Sequence, residues 1–277
     1  VSKGGVPEGE IVDIVERSKK NYVGVLEVEE GKNYGFVRVD SRKVPVDIFV
    51  HFDEKGKYAD NQKVLVSISD WADGSKNPAG EIVDVFGESG DNNAEMHAIL
   101  AEYDLPYRFD PEVEQQAEKI PGEITKQDYA ERRDMRRIPT FTIDPADAKD
   151  FDDALSIRKL NNGSWEVGVH IADVTHYVQP GTIVDTEGES RATSVYLVDR
   201  TVPMLPERLS NELWSLRPNE EKLTFSAVFE LDDDANILQQ WLGRTVTLSD
   251  RRFTYEEAPN IIETGEGDYK EEVLTLN

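Results

Sequence analysis

Residues 140–154 read TFTIDPADAKDFDDA and place five carboxylates, Asp144, Asp147, Asp150, Asp152 and Asp153, within ten residues. A β-branched and aromatic run (Phe141, Thr142, Ile143) leads in, and Ala154, Leu155, Ser156 and Ile157 return to a strand-like pattern. The acids therefore sit on a connection held by strands, not on a tail. In an extended chain Asp150 and Asp152 share a face while Asp153 points away, so convergence of the carboxylates requires a compact turn over residues 145–153. Like charges this close raise one another's pKa, and Lys149 alone cannot offset five. A hard, oxygen-seeking cation such as Mg²⁺ is the usual remedy.

The ordinary reading of an Asp-rich run is a solvated loop, and the chain contains its own comparison. LDDDANI at 231–237 carries Asp232, Asp233 and Asp234 between two apolar runs and reads as a hairpin turn. The first cluster differs in its spacing and in its interleaved Ala146, Ala148 and Phe151. It is no Asp-x-Asp-x-Asp-Gly calcium loop, because the glycine and the distal Glu are missing.

With 277 residues and 38% hydrophobic content the chain is long enough for two domains with a real core. Its lack of cysteine excludes disulfides, thiolate metal sites and cysteine nucleophiles. No apolar run is long enough to cross a bilayer and no signal pattern opens the chain, so no membrane association and a cytoplasmic location are expected. The net charge of −25 argues against a generic nucleic-acid coat. Residues 1–90 hold 12 basic and 17 acidic side chains, so −20 of that charge lies in the remainder. Any phosphate-binding surface must be a local patch or channel. The absence of an initial Met and the uncapped segment at 269–277 suggest a piece of a longer protein.

Short Val- and Ile-rich strands are expected at 11–15, 22–28, 34–39, 47–52, 63–68 and 82–85, which suits a small all-β barrel. Tyr34 and Phe36 alternate in YGFVRV, as do Phe49 and His51 in DIFVH. On neighbouring strands these four rings form one platform for stacking bases, with Lys32, Arg38, Arg42 and Lys43 nearby for phosphates. Spacing alone equally allows aromatics that fill the barrel core.

Residues 92–137 switch to helical periodicity, with helices expected at 92–103, at 112–119 after Pro111, and at 125–133. Beyond Met135 the pattern is mixed, with strands at 141–143, 154–159, 165–171, 195–197, 224–231 and 237–248, and helices at 185–192 and 254–262. His97 has no acid or second His at ligand spacing. His170 and His176, six residues apart with Asp173 between, could suggest a metal site. The run nevertheless reads as a core strand and a turn with no further His close in sequence, so all three are expected to be structural. Ser210 is a candidate helix N-cap, with Leu209, Leu213 and Leu216 as a buried stripe.

The acidic run belongs to a longer constellation: VGVHIADVTHYVQPGT at 167–182 and SVYLVDRTVPMLPERLSNELWSLRPNEEKL at 194–223. In this order the motifs closely resemble the catalytic domain of the ribonuclease II/ribonuclease R family, nearer its ribonuclease R branch. Residues 18–85 are similar to cold-shock domains, and residues 9–16 resemble the closing strand of a preceding barrel. The resemblance implies a mixed fold: a cold-shock-like OB barrel with a remnant strand (1–90), a helical connector (91–137) and the first part of an α+β RNB-type catalytic domain (138–277). It implies a Mg²⁺-dependent 3′→5′ exoribonuclease that hydrolyses single-stranded RNA to nucleoside 5′-monophosphates. By the same resemblance Asp144, Asp150 and Asp153 are metal ligands, Asp152 is essential for hydrolysis, and Tyr196 clamps the last base. Without it, Tyr196 reads as a residue packed in a strand. Arg191 and Arg200 are candidates for phosphate contacts. Trp214 stands where the family usually has a small residue, which alters the expected local packing. The family's catalytic domain runs well past residue 277, and its catalytic arginine and C-terminal RNA-binding barrel lie there, so the 277-residue chain alone is expected to bind metal weakly and degrade RNA poorly. The rival readings are a non-catalytic single-strand RNA-binding or chaperone module, and a structural protein with a calcium-stabilised acidic loop.

Overall fold

The computed structural model describes residues 2–3, 6–7, 12, 21–29, 31–42, 44–72, 75–198 and 200–277. The expected strand at 11–15, the closing strand at 9–16 and the side chain of Lys43 lie outside the described residues. The chain divides into two compact units, Val1–Arg108 and Phe109–Asn277.

The first unit begins with a two-residue ladder, β1 (Ser2–Lys3) against β2 (Val6–Pro7). A closed five-stranded barrel follows, built from β3 (Asn21–Glu27), β4 (Tyr34–Val39), β5 (Ile48–His51), β6 (Gln62–Asp70) and β7 (Ala79–Glu88). Its neighbours run β3-β4-β5-β7-β6, and β3 pairs with β6 to close it. Alternation decides what points inward: Leu26, Val37, Ile48, Val50, Val64 and Val66 are almost wholly buried at the centre. Gly35 allows a close backbone approach, since a Cβ there would meet the Glu27 carbonyl oxygen at 2.7 Å. Helix α1 (Asn92–Glu102) is capped by Asp91 and lays Ala94, Ala98 and Ala101 on Val23, Leu65 and Phe86. His97 packs with the rings of Phe86 and Tyr107, a structural role.

The second unit opens with α2 (Pro111–Lys119), whose N-cap is Asp110 and whose first residue is the expected proline. Helix α3 (Lys126–Glu131) is shorter than the expected 125–133: Thr125 caps it in a reciprocal box with Asp128, and Arg133 has already joined a strand. That strand, β8 (Arg133–Asp134), edges a seven-stranded sheet with β9 (Thr140–Asp144), β10 (Asp153–Lys159), β11 (Trp165–Ala172), β14 (Glu221–Leu231), β15 (Ile237–Leu248) and β16 (Arg251–Thr254). Between β11 and β14 lie α4 (Val174–Tyr177), α5 (Ile183–Arg191), the ribbon β12 (Val195–Tyr196) with β13 (Thr201–Val202), and a π-helical turn at Arg208–Leu213. After β16 come α6 (Glu257–Thr264) and α7 (Lys270–Leu276). The sheet order is β16-β9-β10-β11-β14-β15-β8, antiparallel except for its two outermost pairs.

Three expectations change here. Residue 254 ends β16 and does not start a helix, because the Glu257 carboxylate accepts from the Thr254 N–H and the helix begins only there. Ser210 lies inside the π-helical turn and does not cap it. Leu209 and Leu216 are buried as expected, but in separate clusters, with Trp214 packed beside Tyr177. The Asp232 turn forms as read, with its carboxylate accepting from the N–H groups of Asp234 and Asn236. Among the described residues no helix is long and apolar enough to cross a membrane.

Candidate functional site

The acidic segment is the connection between β9 and β10. Pro145 ends the strand, and the Ala148 N–H donates back to the Pro145 carbonyl at 3.0 Å, tightening the turn. Ser215 holds the far side: its hydroxyl accepts from the Phe151 N–H at 3.0 Å and donates to the Lys149 carbonyl at 3.1 Å. The Leu216 N–H donates to the Phe151 carbonyl, and the Tyr255 N–H to that of Asp144. Phe151 itself is buried with Ala154 and Leu216. This loop is built into the scaffold, unlike the exposed Asp232 turn.

Asp144, Asp147, Asp150, Asp152 and Asp153 line one cleft of about 840 Å³ with Tyr196, Arg200, Glu207, Ser210, Asn211 and Tyr255. Asp144 is buried and its Oδ2 has no hydrogen-bond partner. Loss of hydration raises its pKa, and repulsion from Asp153 and Asp150 adds to the rise. The Thr142 hydroxyl and the Arg252 charge soften that rise, though the hydroxyl does not close a hydrogen bond. Asp152 reaches solvent at the cleft mouth, yet the walls strip enough water to raise its pKa, with Asp150, Asp153 and Asp144 contributing further. Asp144 and Asp152 are thus both disfavoured in their charged forms, by lost hydration first and by neighbouring carboxylates second.

Among the described residues no three His, Asp or Glu side chains are already gathered at metal-holding distances. The donor set nevertheless suits a hard divalent cation: oxygen only, one buried oxygen unpartnered, and excess negative charge. Such an ion keeps several waters and needs only one or two carboxylates beside a substrate phosphate, so a preassembled cage is not required.

Tyr196 stands on β12, 70% exposed, on the wall of the cleft. The strand-packing alternative is thereby set aside. Desolvation, and then Asp150 and Asp152, push its hydroxyl pKa upward. Arg191 turns away from any phosphate role: it is buried, pairs with Glu187 at 2.7 Å and lies 3.7 Å above the Phe109 ring. Arg200 does line the cleft. His170 is wholly buried between the hydroxyls of Ser226 (2.6 Å) and Ser156 (2.8 Å), and burial lowers its pKa to about 4. His176 sits beside Arg132 and Asp128. Both histidines are scaffold.

In the barrel unit Tyr34 pairs directly with His51 and Phe36 with Phe49. Phe49 lies 5.9 Å from the Tyr34 ring and 5.6 Å from that of Phe36. All four side chains face outward, so they form a surface platform and do not fill the core. Asn33 Nδ2 steadies His51 Nε2 at 3.0 Å. The Lys32 ammonium lies 6.0 Å from the Tyr34 ring, while Arg38 is engaged with Glu27 at 3.1 Å.

Sequence reasoning missed Ser215, Arg252 and the Ala172 N–H, which all hold the acidic loop. Each is distant in sequence from the loop: Arg252 and Ala172 come from strands β16 and β11, and Ser215 from the segment between the π-helical turn and β14.

The chain thus has two parts: a closed five-stranded barrel with an outward aromatic platform, and a separate mixed sheet with an acidic strand-end cleft. The family models agree with that division: the RNB domain matches residues 132–277 and the Cold shock domain residues 36–110. The chain belongs to the RNB-domain family. It is 39% identical over 261 residues to Ribonuclease R of Thermotoga maritima, covering 94% of this chain and 36% of that protein. It is 35% identical to mouse (Mus musculus) Exosome complex exonuclease RRP44, covering 91% of this chain and 26% of that protein. The structure of Mycoplasma genitalium RNase R in complex with double-stranded RNA superposes with a TM-score of 0.84 at 26% identity, covering 96% of this chain and 46% of that one. The chain thus spans about a third of the length of the ribonuclease R relatives it matches.

Proposed function

We propose that the chain carries the metal-binding and 3′-end-holding part of a 3′→5′ exoribonuclease, which hydrolyses single-stranded RNA and releases nucleoside 5′-monophosphates. The observation that carries this reading is the gathering of Asp144, Asp150, Asp152 and Asp153 with an exposed Tyr196 around one cleft. Kinship with ribonuclease R and with an exosome exonuclease supports it.

Asp144, Asp150 and Asp153 would hold Mg²⁺. Bound there, the ion supplies an activated water and neutralises charge on the scissile phosphate. Asp152, beside those ligands on the wall of the same cleft, is placed to take a proton from the attacking water. Tyr196 stacks on the terminal base, which fixes the register of the strand while remaining indifferent to base identity. The barrel's Tyr34, Phe36, Phe49 and His51 bind single-stranded RNA by the same stacking physics. Cleavage of a terminal link followed by re-registration on Tyr196 would release one nucleotide at a time.

The Asp152→Asn substitution in the full-length protein tests the reading. Hydrolysis is expected to fall at least about a hundredfold while RNA is retained. A parent protein that retains RNA without hydrolysing it would leave only a binding module, and hydrolysis unchanged by the substitution would contradict the role given to Asp152.

A further inference from the structure

We infer that Arg252 is a positioning residue for the acidic loop, spanning it from both ends so that its carboxylates are presented to a cation. The inference rests on the metal-centre reading above. Arg252 stands on β16, directly opposite Thr142 of β9 in a parallel pair. This places its side chain beside the point where β9 runs into the acids. One nitrogen, Nη2, donates to the carbonyl oxygens of Pro145 (2.5 Å) and Ala146 (2.9 Å), the first two residues of the loop. The same guanidinium lies 5.0 Å from the centre of the Phe151 ring, at the loop's other end. A single planar cation therefore ties the entry of the loop to its exit. Its charge also acts on Asp144, favouring the ionised carboxylate against repulsion from Asp153 and Asp150.

The chemistry needs arginine in particular. A guanidinium can donate in its own plane while lying flat on a ring; an ammonium is a compact point charge that cannot do both. Hydrogen bonds from an ionised donor are also the stronger kind, which suits a brace on two backbone carbonyls. Among the described residues Arg252 makes no hydrogen bond or ion pair with the four carboxylates, so its hold on them runs mainly through the loop backbone.

The test uses Arg252→Lys, which keeps the charge, and Arg252→Gln, which removes it, each in the 277-residue chain. Amide hydrogen exchange is followed at residues 146–151 without metal, and Mg²⁺ affinity is measured separately by calorimetry. Both variants are expected to exchange at least about tenfold faster at the Ala148 and Phe151 amides, with β10 and β11 unchanged, and to bind Mg²⁺ about tenfold more weakly. Wild-type exchange and affinity in Arg252→Lys would overturn the inference, as would faster exchange spread evenly through β10 and β11. If the loop loosens as expected but even the unsubstituted full-length protein containing these residues binds no Mg²⁺, the brace stands and the metal-centre reading falls.

Discussion

The Ala172 N–H donates to the Asp152 carbonyl at 2.9 Å, so the residue assigned to the hydrolytic step is pinned by its backbone to the end of β11. Its side chain is left free to serve the cleft. Replacing Asp152 by Asn should therefore leave the loop in place. It removes one of four mutually repelling charges from a site that raises its carboxylate pKa. Thermal melting without Mg²⁺ should show the variant at least as stable as the parent while activity drops at least about a hundredfold. A variant that melts well below the parent would mean that Asp152 serves the fold.

Tyr196 offers an exposed ring and little else. Tyr196→Ala should weaken binding of a single-stranded 3′ end by about 1–3 kcal/mol, a factor of roughly 5 to 150, whereas Tyr196→Trp should preserve it. Fluorescence anisotropy with short RNAs of different terminal base checks both, and the loss should be similar for every base. Loss confined to one base would contradict stacking as the source.

The barrel platform makes a parallel prediction. Phe36 is 36% exposed and packs edge-on to Phe49. Phe36→Ala should cost about 1–3 kcal/mol in single-strand RNA affinity. The slope of affinity against salt should not change, since no phosphate contact is lost. Titrations at several salt concentrations separate this outcome from a loss of charge contacts.

His170 gives the pH dependence of stability. Folding lowers its pKa from 6.5 to about 4, so between those values the unfolded chain binds a proton that the folded chain does not. Stability therefore falls as pH drops from about 6.5 toward 4, by up to about 3 kcal/mol from this group alone. Gly168 contributes to the tight fit: a Cβ there would lie 2.7 Å from His170 Nε2. Denaturant unfolding at pH 7 and pH 5 should show the drop, and His170→Gln should flatten it. An equally steep profile in the variant would place the sensitivity elsewhere.

Much of this fold was legible where pattern and burial agree. The YGFVRV and DIFVH strands form as read because their alternation matches the two faces of a barrel wall, and ILQQWLGRTVTL forms over the expected residues. The acidic loop was legible because strands flank it. What escaped depends on distant partners. Arg251–Thr254 carries two arginines in four residues, a poor strand by composition, yet β9 recruits it as a parallel neighbour. Arg208–Leu213 winds as a π-helical turn where Ser210 suggested a cap. The hydrogen bonds of Arg252 and Ser215 to the loop cross long stretches of chain and leave no local signature.

The central claim is tested most directly by incubating full-length protein containing these residues with single-stranded RNA labelled at its 5′ end. The account predicts a ladder of products shortened from the 3′ side, converging on a small labelled remnant. The ladder should require Mg²⁺, vanish with chelator and be absent for Asp152→Asn. Intact RNA in the presence of Mg²⁺, or a ladder that Asp152→Asn and chelation leave untouched, would contradict it.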